Sequence, residues 1–307
     1  MQILVTGTSG FVGSALVPPL LAAGHDVRGF ARDPARVRVP VPVTTGDVLT
    51  GAGLDEALEG VDVAYYLVHS MEAPGEDNAD FQARERQGAE RFAAAVQRSG
   101  VRRVVYLGVM VDETRPPTPH LRSRLMVERT LLDAAPEALA LRASIAVGAR
   151  SRSFRFLVRL VERMPVLALP PWRVHRTQPI DERDVIAALS RSATVELGPH
   201  PRQSLDIAGP DVLSYGEMIE RIRDLMIVGR PTIGFPWSLT GIAGRVAAVI
   251  AGEDPDLILP LMSGLTGDLL ARDDRWTTLL GVRAHGFDRA VEHALGEWER
   301  DEPLRAR

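Results

Sequence analysis

The chain has no cysteine among its 307 residues. Disulfides, thiolate metal sites and cysteine nucleophiles are therefore excluded. Lysine is missing as well, so all 36 basic residues are arginine. The abundance of Ala, Arg, Val and Gly points to a codon bias toward G and C as the cause. The chemical consequence holds whatever the cause: arginine keeps its proton, so no mechanism that needs a lysine amine can operate. A strong charge of one sign is also lacking, since 40 acidic residues leave a formal balance of −4. That gives no electrostatic reason to expect a nucleic-acid or membrane partner. The most apolar late stretch, 237–251, is broken by Arg245 and is too short to span a bilayer. The opening "MQILVTG" reads as a strand rather than a basic leader with an apolar core, so a cytoplasmic protein is expected. Gly-x-Ser-x-Gly is absent, and no His/Asp/Glu set falls at metal-ligand spacing. Neither serine hydrolysis nor a metal is expected.

What is present is an alternation of short β-type runs and helical patterns over the first 150 residues. "QILVTG" is a buried strand, followed by a helix from Phe11 to Ala23. "HDVRGFAR", "VPVTTGDV", "VDVAYYLV", "RRVVYLGVM" and "ALALRASIAVG" supply five further strands. Between them lie helical segments, of which Asp77 to Ser99 is the longest, with Phe81, Ala89, Phe92 and Val96 as its apolar stripe. Strands alternating with helices imply an α/β fold, a Rossmann-type doubly wound parallel sheet. After Gly148 the rhythm changes. Phe154, Leu157, Val158 and Val161 mark an amphipathic helix that stops before Pro165, "QPIDERDV" returns to the main unit, and helices dominate from Pro210. The expected division is 1–150 and 176–208 for a dinucleotide-binding domain, with 151–175 and 209–307 for a smaller, mainly helical substrate domain.

"VTGTSGFVG" places Gly7, Gly10 and Gly13 between the first strand and first helix. Glycines there permit a tight turn and let backbone approach a pyrophosphate, which the helix start then stabilises. In that strand–turn–helix setting the pattern is specific. Gly7, Thr8, Ser9, Gly10, Phe11, Val12 and Gly13 are the expected cofactor cradle. A domain selecting NAD usually ends its second strand with an acid that holds the ribose hydroxyls. Here that place holds Ala31, then Arg32, with Arg36 a helical turn beyond. The missing acid and the guanidinium favour NADP(H). Asp33 reads as a cap before Pro34, Arg28 lies along the strand, and Asp47-Val48 could border the adenine.

The motifs "TGTSGFVG", "YYLVHSM", "GVRRVVYLG", "PHLRSRLMVE", "LRASIAVG" and "QPIDERDV" resemble the atypical short-chain dehydrogenase/reductases. More narrowly, they resemble the NAD(P)H-binding, NmrA-like branch. The resemblance implies an oxidoreductase whose catalytic members use a Ser or Thr after the fifth strand and Tyr-x-x-x-Lys on the next helix. This chain departs at all three places. Gly108-Val109-Met110 occupy the hydroxyl region, His120 the tyrosine place and Arg124 the lysine place. The flavin-reducing and alkene-reducing members of the atypical group imply that the triad is dispensable.

His120 is chemically fit to donate a proton, or it merely packs or caps at its helix start. Arg124 could hold the nicotinamide ribose or a substrate oxyanion, or pair with Glu128 one turn on. Leu67 and Val68 should touch the nicotinamide side, with His69 and Ser70 at the cleft mouth and His69 a second candidate acid. Tyr65 and Tyr66 should face opposite sides of a buried strand. Tyr106 is strand-embedded and a weak proton donor candidate. Arg142 and Ser144, then His175, Arg176 and Gln178, could line a pocket, and Asp184 anchors a helix. An arginine-containing wall of Phe154, Leu157 and Trp172 would suit a mid-sized hydrophobic molecule with one polar end. Two functions fit: an NADP(H)-dependent reductase lacking the usual triad, acting on a small-molecule substrate, or a non-catalytic sensor acting through a protein partner.

Overall fold

The computed structural model describes residues 1–68, 78–234, 265 and 267–304. In chain order, β1 spans Gln2–Thr6, α1 Phe11–Ala22, β2 Asp26–Ala31, β3 Val43–Thr45, α2 Leu54–Leu58 and β4 Val63–Tyr66. There follow α3 at Asn78–Ser99, β5 at Arg103–Val109, α4 at Pro119–Leu132 and β6 at Glu137–Ala143. Next come β7 (Ala146–Val147), α5 (Arg152–Arg163), β8 (Leu167–Leu169), β9 (Arg176–Thr177), β10 (Ile180–Asp181) and α6 (Glu182–Ser192). The remaining elements are β11 (Arg202–Ile207), β12 (Leu213–Ser214), α7 (Tyr215–Leu225), β13 (Thr232–Gly234), α8 (Arg275–Leu280) and α9 (Phe287–Asp301).

Seven strands form one sheet in the order β3-β2-β1-β4-β5-β6-β11, every neighbouring pair parallel. Parallel neighbours need crossover connections, so helices cover both faces. On one face Phe92 and Val96 of α3 and Val127 and Leu131 of α4 pack over Tyr66 and Tyr106. On the other, Leu16 and Leu20 of α1 and Leu189 of α6 pack over Ile3, Val5 and Tyr65. The two tyrosines thus face opposite sides, as strand alternation requires. The chain runs outward from β1 through β2 and β3, then returns to β4 on the opposite side. This reversal opens a crevice at the carboxyl ends of β1 and β4, where such sheets hold ligands.

The sixth apolar run does not continue as one strand. β6 ends at Ala143, and the next residues pair as β7 with β10. Ser144 marks the break: its N–H donates to the Ile207 carbonyl at 3.3 Å and its hydroxyl to the Gln178 carbonyl. A third core joins Phe154, Val158 and Val161 of α5 to Met218 and Ile222 of α7 and Phe287, Val291 and Trp298 of α9. Trp276 and Leu280 of α8 instead pack on the sheet face held by α1 and α6. The chain therefore revisits the first layer late, through a helix of six residues that is too short to carry a readable periodicity. No helix among the described residues is long and apolar enough to cross a membrane.

Candidate functional site

The turn after β1 is shaped by its glycines. Gly7 sits at φ +71°, and a Cβ there would lie 2.9 Å from the Leu67 carbonyl oxygen. A Cβ on Gly13 would run into the Gly7 backbone. The Gly10 N–H donates to the Gly7 carbonyl at 2.9 Å, and Gly10 caps α1 without a side-chain acceptor. The first N–H groups of α1, beginning with Phe11 and Val12, thus start a helix with nothing from a side chain to receive them. Thr8 is buried against Gly29, whose missing Cβ gives its side chain room, and Ser9 is exposed. Thr6 Oγ1 donates to the Tyr65 carbonyl at 2.9 Å and accepts from the Leu67 N–H at 3.0 Å. That pair of bonds ties the ends of β1 and β4 together and sets Leu67 and Val68 beside the glycine turn. An uncapped helix start in a cradle that a Cβ would fill fits a diphosphate.

At the end of β2, Ala31 is buried while Arg32 and Arg36 are exposed. Neither guanidinium has an ion pair or hydrogen bond among the described residues. Asp33 accepts the Ala35 N–H at 3.1 Å and caps the short turn Pro34–Arg36, so its carboxylate is turned to local structure. Arg28 lies along the strand and reaches the Glu59 carbonyl at 3.1 Å. Asp47 bridges to Ala52 and accepts the Leu49 N–H at 2.8 Å. Val48 is buried in the core, so it has only backbone to offer an adenine.

The altered catalytic frame is closed against α3. Thr118 caps α4, accepting the Leu121 N–H, and Pro119 takes the first helical place. One step on, the His120 ring stacks on Phe81 with centroids 5.6 Å apart and planes 17° from parallel. One turn further, Arg124 pairs with Glu85 at 2.7 Å, the two side chains 3% and 5% exposed. Each helix contributes residues four apart, so the two contacts form successive rungs of one seam. Burial, with the Arg124 charge adding to it, pulls the His120 pKa down to about 4. Its imidazole is therefore neutral near pH 7, where it can offer an N–H but not a ready proton. Tyr106 lies nearby with its ring over Gly108, and burial pushes its hydroxyl up to about 12 against the pull of Arg124. His69 and Ser70 lie outside the described residues.

Glu128, the alternative partner of Arg124, is engaged elsewhere. It takes Arg142 in a forked pair, Nε to Oε2 at 2.9 Å and Nη2 to Oε1 at 2.8 Å, and accepts the Ser204 hydroxyl at 2.6 Å. Arg142 also reaches Glu113 at 2.6 Å, and Arg272 joins through Asp206 at 2.8 Å. Burial opposes the Arg142 charge, but the bonds and charges of Glu128 and Glu113 outweigh it and raise its pKa. Arg142 is thus a strut between β6, α4 and β11 and not a pocket wall. Arg176 pairs with Asp268 at 2.7 Å, and the Gln178 side-chain Oε1 accepts the Ala271 N–H at 2.8 Å. Both therefore hold the 268–271 segment. Phe154 is fully buried in the third core and cannot line a wall, whereas Leu157 and Trp172 pack at that core's edge. Asp184 binds the backbone and ring of His285, each at 2.7 Å, and it is Asp181 that caps α6. Glu85 was missed although a signal existed: it falls four residues after Phe81 on the apolar stripe of α3, where a charge needs a buried partner.

A parallel doubly wound sheet with an open glycine turn at its switch point defines a dinucleotide-binding α/β protein. The chain belongs to the NAD dependent epimerase/dehydratase family, whose model matches residues 3–166. It is 34% identical over 113 residues to a 3-beta-hydroxysteroid dehydrogenase of Mycolicibacterium neoaurum, covering 34% of this chain and 31% of that one. The match thus spans about a third of that relative's length. A longer match, 24% identical over 237 residues, is to the mitochondrial NADH dehydrogenase [ubiquinone] 1 alpha subcomplex subunit 9 of Arabidopsis thaliana. It covers 72% of this chain and 57% of that protein. The crystal structure of gox2253 superposes with a TM-score of 0.76 at 19% identity, covering 97% of both chains, a likeness of fold. The family found is the NAD dependent epimerase/dehydratases, whereas the sequence motifs resemble the atypical short-chain dehydrogenase/reductases.

Proposed function

We propose that this chain is an NADP(H)-dependent oxidoreductase that works without a Ser-Tyr-Lys triad and reduces a mid-sized hydrophobic small molecule. The observation that carries the cofactor choice is the end of β2: exposed Arg32 and Arg36 whose guanidinium groups have no partners among the described residues, and Asp33 turned to a cap. A guanidinium there meets a 2′-phosphate bidentately. Gly7, Gly10 and Gly13 with the start of α1 would hold the diphosphate, Asp47 and Val48 would border the adenine, and Leu67 and Val68 would face the nicotinamide. Bound there, a nicotinamide supplies the hydride. The chain itself contributes position, exclusion of water and a path for one proton.

With its pKa at about 4, His120 acts as a neutral hydrogen-bond donor, so a bound water or His69 is the better proton source. Arg124, fixed by Glu85, orients the groups around it. The steroid dehydrogenase similarity supports a hydrophobic substrate, and residues 151–175 and 209–307 would supply most of its cover. A cytoplasmic setting and the narrower NmrA-like placement belong to the same proposal and rest on the sequence motifs. The test is a titration of NADPH and NADH against wild type and Arg32→Ala, followed by a panel of hydrophobic carbonyl and alkene substrates. Wild type should prefer NADPH by about tenfold or more, with the preference lost in the variant. Equal affinity for both cofactors would overturn the assignment.

One observation favours a second function, a dinucleotide-binding sensor that acts through a protein partner. The frame that would carry chemistry is sealed by the Arg124–Glu85 pair. Tight NADPH binding with no oxidation across the panel would favour the sensor. His120→Phe separates the two: an enzyme loses turnover while keeping NADPH affinity.

A further inference from the structure

Away from the glycine turn, the start of α6 and the middle of α9 meet. Glu182 is the first residue of α6, while His293 and Glu297 lie four apart on α9 and so share one face. Their ligand atoms all fall within 4.8 Å of one another, and each residue is half-buried. His293 Nε2 stands 3.6 Å from Glu297 Oε1. A tetrahedral zinc about 2.0–2.1 Å from each ligand separates them by about 3.4 Å, so small side-chain rotations suffice.

The Glu182 carboxylate gives a second, independent observation. Its Oε2 is fully buried and has no hydrogen-bond partner among the described residues. It lies directly over Gly148, where any Cβ would collide with it, so the backbone just after β7 leaves room for this group. Ordinarily a buried carboxylate oxygen is satisfied by a donor or a cation. The same carboxylate offers an oxygen within 4.8 Å of the His293 and Glu297 ligand atoms. The nearby Arg183 is held by Asp181, its Nε donating to the two carboxylate oxygens at 3.0 and 3.1 Å. Among the described residues no arginine pairs with Glu182, so the cluster is left short of a positive charge.

We propose that Glu182, His293 and Glu297 form a divalent transition-metal site of the zinc type, with water in the remaining position, that clamps α9 to the start of α6. One imidazole and two carboxylates suit zinc, cobalt or manganese better than calcium, which takes six or more oxygens. The site lies outside the dinucleotide crevice, and its role is to fix the C-terminal helix. Sequence spacing conceals it because Glu182 is remote from the other two in the chain.

The test uses the full chain, stripped of metal by a chelator and then titrated with Zn²⁺ and, as a spectroscopic probe, Co²⁺. One metal per chain is expected, with the visible bands of four- or five-coordinate Co²⁺. Zn²⁺ should raise the unfolding midpoint by several degrees. His293→Ala and, separately, Glu297→Gln should weaken binding by about a hundredfold or more and abolish the midpoint shift. His200→Ala, at an exposed histidine elsewhere, should leave both unchanged. The inference is overturned if wild type retains no stoichiometric metal, if both α9 variants bind as wild type does, or if His200→Ala removes the metal instead.

Discussion

The carboxyl edge of β1 and β2 and the seam between α3 and α4 are built oppositely. At the first, backbone and cation are left open: α1 starts without a side-chain cap, and the Arg32 and Arg36 guanidinium groups have no partners among the described residues. At the second, polar groups are consumed from within: Arg124 by Glu85, Glu128 by Arg142, and the His120 ring by Phe81. Open donors at a sheet switch point are what a ligand completes. A buried ion pair is already complete, and it holds its two helices in register. The contrast separates a region with open polar groups from one whose polar groups are spent on structure.

Breaking the seam should have the largest effect. Arg124→Ala leaves the Glu85 carboxylate buried and unpaired, which costs about 3–5 kcal/mol in a denaturant melt. Replacing both partners, Glu85→Leu with Arg124→Met, should recover most of that stability. If turnover stays low in the stable double variant, Arg124 also acts in the reaction. If turnover recovers, the seam is structural alone.

The open side breaks through its glycines. Gly13→Ala forces a Cβ into the Gly7 backbone. Overpacking of that kind costs about 1–3 kcal/mol and should distort the turn enough to weaken dinucleotide binding by at least about tenfold in calorimetry. Binding unchanged from wild type would mean that the turn is not the diphosphate cradle. A smaller effect, about tenfold, should come from Arg32→Asp, which should reverse the preference from NADPH to NADH. An unchanged ratio would move the selectivity to Arg36 or elsewhere.

The subtlest difference is in pH dependence. The folded-state pKa of His120, about 4, lies below its ordinary 6.5, so the unfolded chain takes up a proton first as pH falls. Its contribution to stability is fully present above about 6.5 and is lost as pH drops through about 4. His120→Phe keeps the stacking on Phe81 and should flatten this part of the stability profile. The same slope in both proteins would place the imidazole in water.

Much of the binding side was legible in the sequence. "VTGTSGFVG" between a strand and a helix needs only local geometry: φ sign, lack of a Cβ and an open helix start. The reading of Asp33 as a cap was local too, because Pro34 follows it. Failures came where a side chain's partner is distant in the chain. Arg124 had a plausible neighbour in Glu128 at one helical turn, but Glu85 on another helix took it, and Glu128 turned to Arg142 on β6. Phe154 fitted an apolar wall by its spacing, yet packing placed it wholly inside the third core.

The sequence alone thus determined the alternation of elements, the parallel sheet, the glycine turn and the absence of any lysine. These follow from periodicity and residue identity over a few positions. Only tertiary structure decided which acid meets which arginine, that α8 returns to the first layer, that His120 is kept neutral, and that Glu182 meets His293 and Glu297. Each depends on which helices the crossovers set side by side, and no local pattern records that choice.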